Sequence, residues 1–240
     1  MKILTLFLLL SSIVLPQQQE ARFFDAPFGG GGGYVPGWYM PDLKPINAEL
    51  KSFGFPELST GGFYTSGGAG FIYIGFVPGL RIGGMGFSGS TSESESAGGR
   101  LSEESIYSLG GGGLTVEYTL PFLRNIGFSL GAVIGGGSLK LEQYQTVDSY
   151  DWDAVWSLLD DSPGFNRTIN NNFWFFTPTL NIDIPIYSRF VIFRVGAGYQ
   201  LTFGDDWTIY NDKTLNNVPS DVSGNSFFIQ SGIFIGFFSF

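Results

Sequence analysis

The chain has 240 residues, with 36 glycines, 25 Phe, 11 Tyr and 5 Trp, and contains neither cysteine nor histidine. Imidazole or thiol catalysis, disulfide scaffolds and Cys/His metal sites are therefore excluded, and no catalytic, cofactor-binding or metal-ligating set is assigned. A formal charge of −9 opposes phosphate backbones, so nucleic acid is not an expected partner.

Residues 1–21 read as a secretory signal. Lys2 precedes an apolar run from Ile3 to Leu10 and a tail to Leu15, short for a helix that needs about 20 residues to span a bilayer. Cleavage is expected between Pro16 and Arg22. Residues 22–60 form a Gly/Pro-rich segment, with Gly29 to Gly33 followed by Pro36, Pro41, Pro45 and Pro56. Within it Ile46, Leu50 and Phe53 fall at helical spacing before Gly54. This segment is expected to carry a short helix, and to act as a plug, to supply a first strand over Gly33 to Met40, or to remain a solvated arm.

From residue 61 onward the pattern is one of long strands, expected near 62–77, 80–93, 105–120, 126–146, 171–186, 190–204 and 226–240. The clearest sets Val191, Phe193, Val195, Ala197, Tyr199, Leu201 and Phe203 against Arg194, Gly196, Gly198, Gln200, Thr202 and Gly204. Such period-two alternation marks a strand. Strands of about 15 residues exceed the roughly 5 or 6 usual in soluble sheets and suit tilted membrane strands, of which about 9 to 11 residues cross the bilayer. No other apolar run could cross as a helix, so a membrane-embedded chain must cross as strands. Tight connections at 77–80, 121–125 and 187–189 alternate with long ones at 94–104, 147–170 and 205–225. Short turns on one side and long loops on the other suit a barrel with its short turns in the periplasm. The expected fold is all-β: an antiparallel transmembrane barrel over residues 61–240, of about eight strands, with a short N-terminal helical or plug segment. Only seven strands are evident, and an even number requires one crossing from residues 22–60.

The motifs inside this pattern are weak. Gly84-x-Gly86-x-x-Gly89 matches a dinucleotide fingerprint by letter, but it lies within a strand and no helix follows. Thirteen of the 21 acidic residues fall in the three long loops or at their edge, among them Glu93, Glu95, Glu103, Glu104, Asp148, Asp151 and Asp153. Clustered carboxylates offer hard oxygen ligands to Ca²⁺ or Mg²⁺, which could bridge to lipopolysaccharide. The spacing matches no dedicated calcium loop, and a solvated acidic rim is the simpler reading. Behind Asp151, the spacing of Trp152, Val155, Trp156 and Leu159 suggests a short amphipathic helix on the barrel mouth.

Charges on the inward faces can be paired by register. A hairpin centred on Ser188-Arg189 has an index sum of 377, which sets Asp183 opposite Arg194. Arg81 and Glu117 fall at a similar depth near the next short turns. The four form a candidate lumen charge cluster, either a neutral packed interior or a polar gate. Inward positions also include Gly83, Gly111, Gly113, Gly127, Gly131, Gly135, Gly196 and Gly198, which suggest a spacious lumen.

The chain ends Gly232-Ile233-Phe234-Ile235-Gly236-Phe237-Phe238-Ser239-Phe240. An aromatic last strand closing on Phe240, with Phe238 at the alternate position, resembles the assembly signal of bacterial outer-membrane β-barrel proteins of the small, eight-stranded type. That resemblance implies residence in the outer membrane among lipids and lipopolysaccharide, and recognition of the terminal aromatics by the barrel-assembly machinery. It also implies a non-enzymatic structural, adhesive or surface-interaction role. The alternatives are a small channel or transporter for solutes or hydrophobic molecules, and a soluble secreted barrel binding an apolar ligand.

Overall fold

The computed structural model describes residues 28–98, 101–120, 126–147, 152, 164–187, 190–210 and 212–239. The signal segment expected over 1–21, the loop helix apart from Trp152, and Phe240 lie outside them. The elements are β1 (Phe28–Tyr34), β2 (Gly37–Pro41), α1 (Lys44–Ser52), β3 (Phe63–Tyr73), β4 (Leu80–Gly98) and β5 (Leu101–Leu120), then β6 (Gly127–Val147), β7 (Phe165–Tyr187), β8 (Val191–Ile209), β9 (Lys213–Thr214) and β10 (Ser226–Ser239). Every pairing is antiparallel, from β3 through β8 in chain order, and β10 then returns to β1 and β2.

β1 and β2 are one wall strand. Tyr34 faces Ile233 and Gly37 faces Gln230 on β10, and the same two residues face Gly68 and Thr65 on β3, so register is unbroken across the interruption. Pro36 lacks an N–H and breaks the ladder locally. Val35 N–H still donates to Gly67 O at 2.9 Å, and Pro36 O accepts from Ser231 N–H at 3.0 Å. With this strand the ring has eight members, and the crossing owed by the N-terminal segment runs over 28–41.

Several boundaries differ from expectation, each for a physical reason. The loop expected over 94–104 is mostly strand, because β4 runs to Gly98 and β5 begins at Leu101. Alternating Ser and Glu has no apolar face to signal a strand, and the neighbouring ladders hold it instead. β7 begins at Phe165, where Asn170-Asn171-Asn172 hides the alternation. β8 continues past Gly204 through a bulge: Trp174 pairs with Phe203 but Asn172 with Asp206, which reverses the inward parity and brings Trp207 inside. The strand expected to end at Val77 stops at Tyr73, and residues 74–79 make the turn, where Gly79 takes a φ of 79°.

The outer parity is apolar. Leu114, Ile134, Trp174, Phe176, Val195, Phe203, Ile229, Ile233 and others stand exposed on it. So much exposed apolar surface is incompatible with a soluble wall and makes the lipid-facing belt of a membrane barrel. The soluble secreted barrel fails on this belt. Strands of 19 to 23 residues rise roughly 60 to 75 Å, so the wall extends past the bilayer at the long-loop end.

Inside, the glycines are seats rather than empty space. A Cβ at Gly111 would lie 2.9 Å from Phe175, at Gly137 2.8 Å from Phe173, and at Gly198 2.6 Å from Phe228. Phe87, Tyr39 and Phe228 stack, with both ring-centroid separations 4.7 Å, and fill the middle of the lumen. The spacious lumen expected from the sequence is thus packed, because aromatic rings reach over the glycine positions of neighbouring strands. Gly198→Ala should lower stability by about 1 to 3 kcal/mol through overpacking. Gly86→Ala, whose Cβ would point outward with its nearest neighbour at 3.7 Å, should stay within about 0.5 kcal/mol of the parent. Urea unfolding in lipid vesicles checks the contrast, and equal losses would refute the seating.

Candidate functional site

Two different constructions, one ionic and one largely apolar, occupy the ends of the packed lumen. At the short-turn end, Arg81 on β4 lies directly opposite Glu117 on β5, and Asp183 on β7 lies opposite Arg194 on β8. A bulge does occur beside Pro185, but on its turn side, between Pro185 and Tyr187, so it leaves the Asp183–Arg194 register intact.

The two pairs join across the lumen. Arg81 Nη1 donates to Asp183 Oδ2 at 2.6 Å, and Arg81 Nη2 lies 3.1 Å from Glu117 Oε2. Arg194 donates to both carboxylates: Nε to Asp183 Oδ1 at 2.7 Å, Nη1 to Glu117 Oε1 at 2.9 Å, and Nη2 to Asp183 Oδ2 and Glu117 Oε2 at 3.0 Å each. All four side chains are buried. Two cations and two anions cancel, as burial of charge demands, and the bidentate geometry offsets much of the desolvation.

Neighbouring residues shape this quartet. Gly131 lies between Glu117 and Thr179, and a Cβ there would meet Glu117 Cγ at 2.8 Å, so its absence lets the carboxylate cross β6 toward Arg194. The Arg81 guanidinium lies over Phe71 at 4.8 Å, and that of Arg194 over Phe234 at 4.7 Å. Asn181 donates to Glu117 at 3.3 Å, and Gln230 donates to Asn181 at 3.1 Å. Sequence reasoning missed Asn181, Gln230 and the aromatic faces, although inward parity on β7 and β10 was the signal that could have found the first two.

At the long-loop end, α1 and the chain after it dip into the mouth. Leu43, Ile46, Leu50 and Leu58 are buried against the lumen core. Pro45 near the helix start suits the first turn, and Ile46 and Leu50 share the buried face. Asn47, also buried, clamps this segment, donating to Leu58 O at 2.8 Å and accepting from Leu58 N–H at 2.9 Å. Outside the lumen, Lys51 bonds Glu57 at 2.9 Å, and that carboxylate holds the Lys51 ammonium above its ordinary value. Residues 215–225 close the other side of the mouth, with Gln200 donating to Gly224 O at 3.1 Å and Thr202 N–H to Asn225 Oδ1 at 2.7 Å. The N-terminal segment thus supplies a wall strand and, after it, a helix whose apolar side chains are buried in the mouth.

The remaining assigned residues are dispersed. Phe238 pairs with Gly29 in the closing ladder. Glu95 and Glu103 face each other on β4 and β5, and Gln145 donates to Glu103 at 2.9 Å. Among the described residues no group of three acidic side chains converges as a metal site, and Asp148, Asp151 and Asp153 lie outside them.

A closed eight-stranded ring with an apolar outer wall and a packed, charge-compensated lumen defines a small transmembrane β-barrel. No protein-family profile matches the chain, and no curated protein matches its sequence. Among solved structures, a major outer membrane protein from Thermus thermophilus is similar at 9% identity and a TM-score of 0.51, covering 87% of this chain and 99% of that one. The attachment invasion locus protein Ail of Yersinia pestis, solved with the heparin analogue sucrose octasulfate, aligns at 11% identity and a TM-score of 0.36, over 88% of this chain and 97% of its own. CarO of Acinetobacter baumannii aligns at 14% identity and a TM-score of 0.34, over 92% and 100%. The likeness to the Thermus protein is one of fold. This chain has the fold of the bacterial outer-membrane β-barrels, and its apolar wall is a surface suited to lipid.

Removing one member of the quartet should cost about 3 to 5 kcal/mol, because a buried charge loses its partner. Asp183→Asn combined with Arg194→Gln leaves Arg81 paired with Glu117 and should cost less than the sum of the single changes. Unfolding of the three variants in vesicles decides this, and additive losses would refute the coupling. Asn47→Ala breaks both bonds to Leu58 and should make residues 53–62 cleavable by protease in the intact barrel, while the wall strands stay protected. Unchanged resistance would show that the clamp does not hold the plug.

Proposed function

We propose that this is a non-enzymatic, non-conducting outer-membrane barrel that acts at its outer end, in surface interaction or adhesion. The observation that carries the reading is the filled lumen. From the short turns outward it is occupied by the ion quartet, the Phe87–Tyr39–Phe228 stack and the α1 plug in succession. A cavity beside the quartet has about 20 Å³ open to the centre of a water molecule, room for about one. Asp183 and Glu117 are each held by two guanidinium groups, which supports the non-enzymatic reading, since neither carboxylate is free to shuttle a proton. Outer-leaflet lipopolysaccharide is the partner that the belt and the extended long-loop end fit, and β10, ending in aromatics, fits recognition by the assembly machinery. Divalent cations at the acidic loops would act as bridges to that lipid.

Planar-bilayer recording of the refolded barrel tests this reading. The parent should show no steps above background. A variant with residues 43–60 replaced by a short Gly/Ser linker should also stay silent, because the stack and the quartet remain. Reproducible conductance from the parent would overturn the proposal in favour of the channel.

A further inference from the structure

The outer mouth contains a cavity that the sealed lumen leaves over. It has a volume of about 340 Å³ and lies between α1, the inner faces of β6, β7 and β8, and the segment 215–222. That size is at the lower end of small-molecule sites, about 300 to 1,000 Å³. Leu50, Leu139, Trp207, Val218 and Val222 make it largely apolar.

One cation faces this lining. Arg167 stands on the inward parity of β7, opposite Gln143 on β6, and its Nη1 donates to Gln143 Oε1 at 3.3 Å. Phe53 and Phe165 flank the guanidinium at 5.4 and 4.9 Å. The inward arginines at the other end, Arg81 and Arg194, are each held by two carboxylates, whereas Arg167 forms no ion pair among the described residues. Glu49 also lines the cavity but is exposed at the rim and makes no ion pair with Arg167. Among the described residues the half-buried guanidinium is thus a planar fork whose direct partners, Gln143, Phe53 and Phe165, are neutral, the geometry that binds a carboxylate bidentately. The acidic loops repel anions at long range, but salt screens exposed charges beyond about 10 Å at 0.1 M, and the contact at Arg167 decides binding.

We propose that this cavity binds a small amphiphile with a single anionic head, a medium-chain monocarboxylate in class. The head sits on Arg167 and the alkyl chain runs along Leu50, Leu139 and Val222. The inference goes beyond the surface-interaction reading and fails separately from it, since conductance tests the lumen and not the mouth.

The test uses the full barrel in lipid nanodiscs with decanoate carrying a terminal diazirine, followed by peptide mapping of the photolabel. Labelling should be saturable and should fall on the segments around Leu50, Leu139 and Val222, and unlabelled decanoate should compete better than decanol or decylamine. Arg167→Gln should weaken competition by decanoate by about tenfold or more, as loss of the charge-assisted bidentate contact implies, and leave competition by decanol unchanged. Val222→Trp, which fills the cavity, should abolish the labelling while the barrel still shows its folded, unheated gel mobility. Labelling confined to the lipid-facing wall would overturn the proposal. So would decanol or decylamine competing as well as decanoate, or Arg167→Gln weakening acid and alcohol alike.

Discussion

Eight tilted strands close around an interior just wide enough for side chains, and those side chains have to fill it. Most of what is distinctive in this chain answers that constraint. Large rings on one strand need bare backbone on another, so Phe175, Phe173 and Phe228 are matched by Gly111, Gly137 and Gly198. The charges obey the same geometry. Glu117 crosses β6 where Gly131 leaves the way clear, and only then can it share Arg194 with Asp183. A glycine-rich composition, which by itself would suggest slack, here accompanies dense packing.

The alternation of apolar and small residues on β8 shows its faces from sequence alone, though not its reach past Gly204, and the hairpin before it gives the register with β7. The index sum across residues 188 and 189 is the sum at which the structure pairs Asp183 with Arg194. What escaped was whatever the outer wall does not mark. Beyond the bilayer neither face of a strand needs to be apolar, so the serine and glutamate tips of β4 and β5 look like a loop, and the start of β7 looks like the end of one. Arg167 was hidden for that reason, since within a loop its parity carries no meaning. The first strand was obscured by Gly29 to Gly33 and by Pro36, residues that in isolation argue against a strand and that only the partners on β3 and β10 hold extended.

The two ends of the lumen are closed by different physics. At the short-turn end the seal is ionic and spans the ring, joining β4, β5, β7 and β8 through hydrogen bonds whose geometry admits little rearrangement. At the long-loop end it is apolar and local, a helix seated by leucines and isoleucine and clamped by one asparagine. Segments held by few contacts open more readily than a fully bonded core. The mouth is therefore the adaptable end, and it is also the end where the wall rises above the membrane.

The seam between the first strand and β10 joins Phe28 to Ser239, separated by almost the whole described chain. Bringing ends about 210 residues apart together carries an entropic penalty of roughly 5 kcal/mol from the length-dependent part alone, and no local hairpin offsets it. The other wall pairings join neighbours in sequence and can form one hairpin at a time. This one waits for the last strand to be made, so a nascent chain that stops short of β10 holds two unpaired margins, one on β8 and one on the first strand. Such margins recruit other chains. Until closure the cell must shield a sheet with two adhesive borders, and contact order as much as hydrophobicity sets how long that exposure lasts.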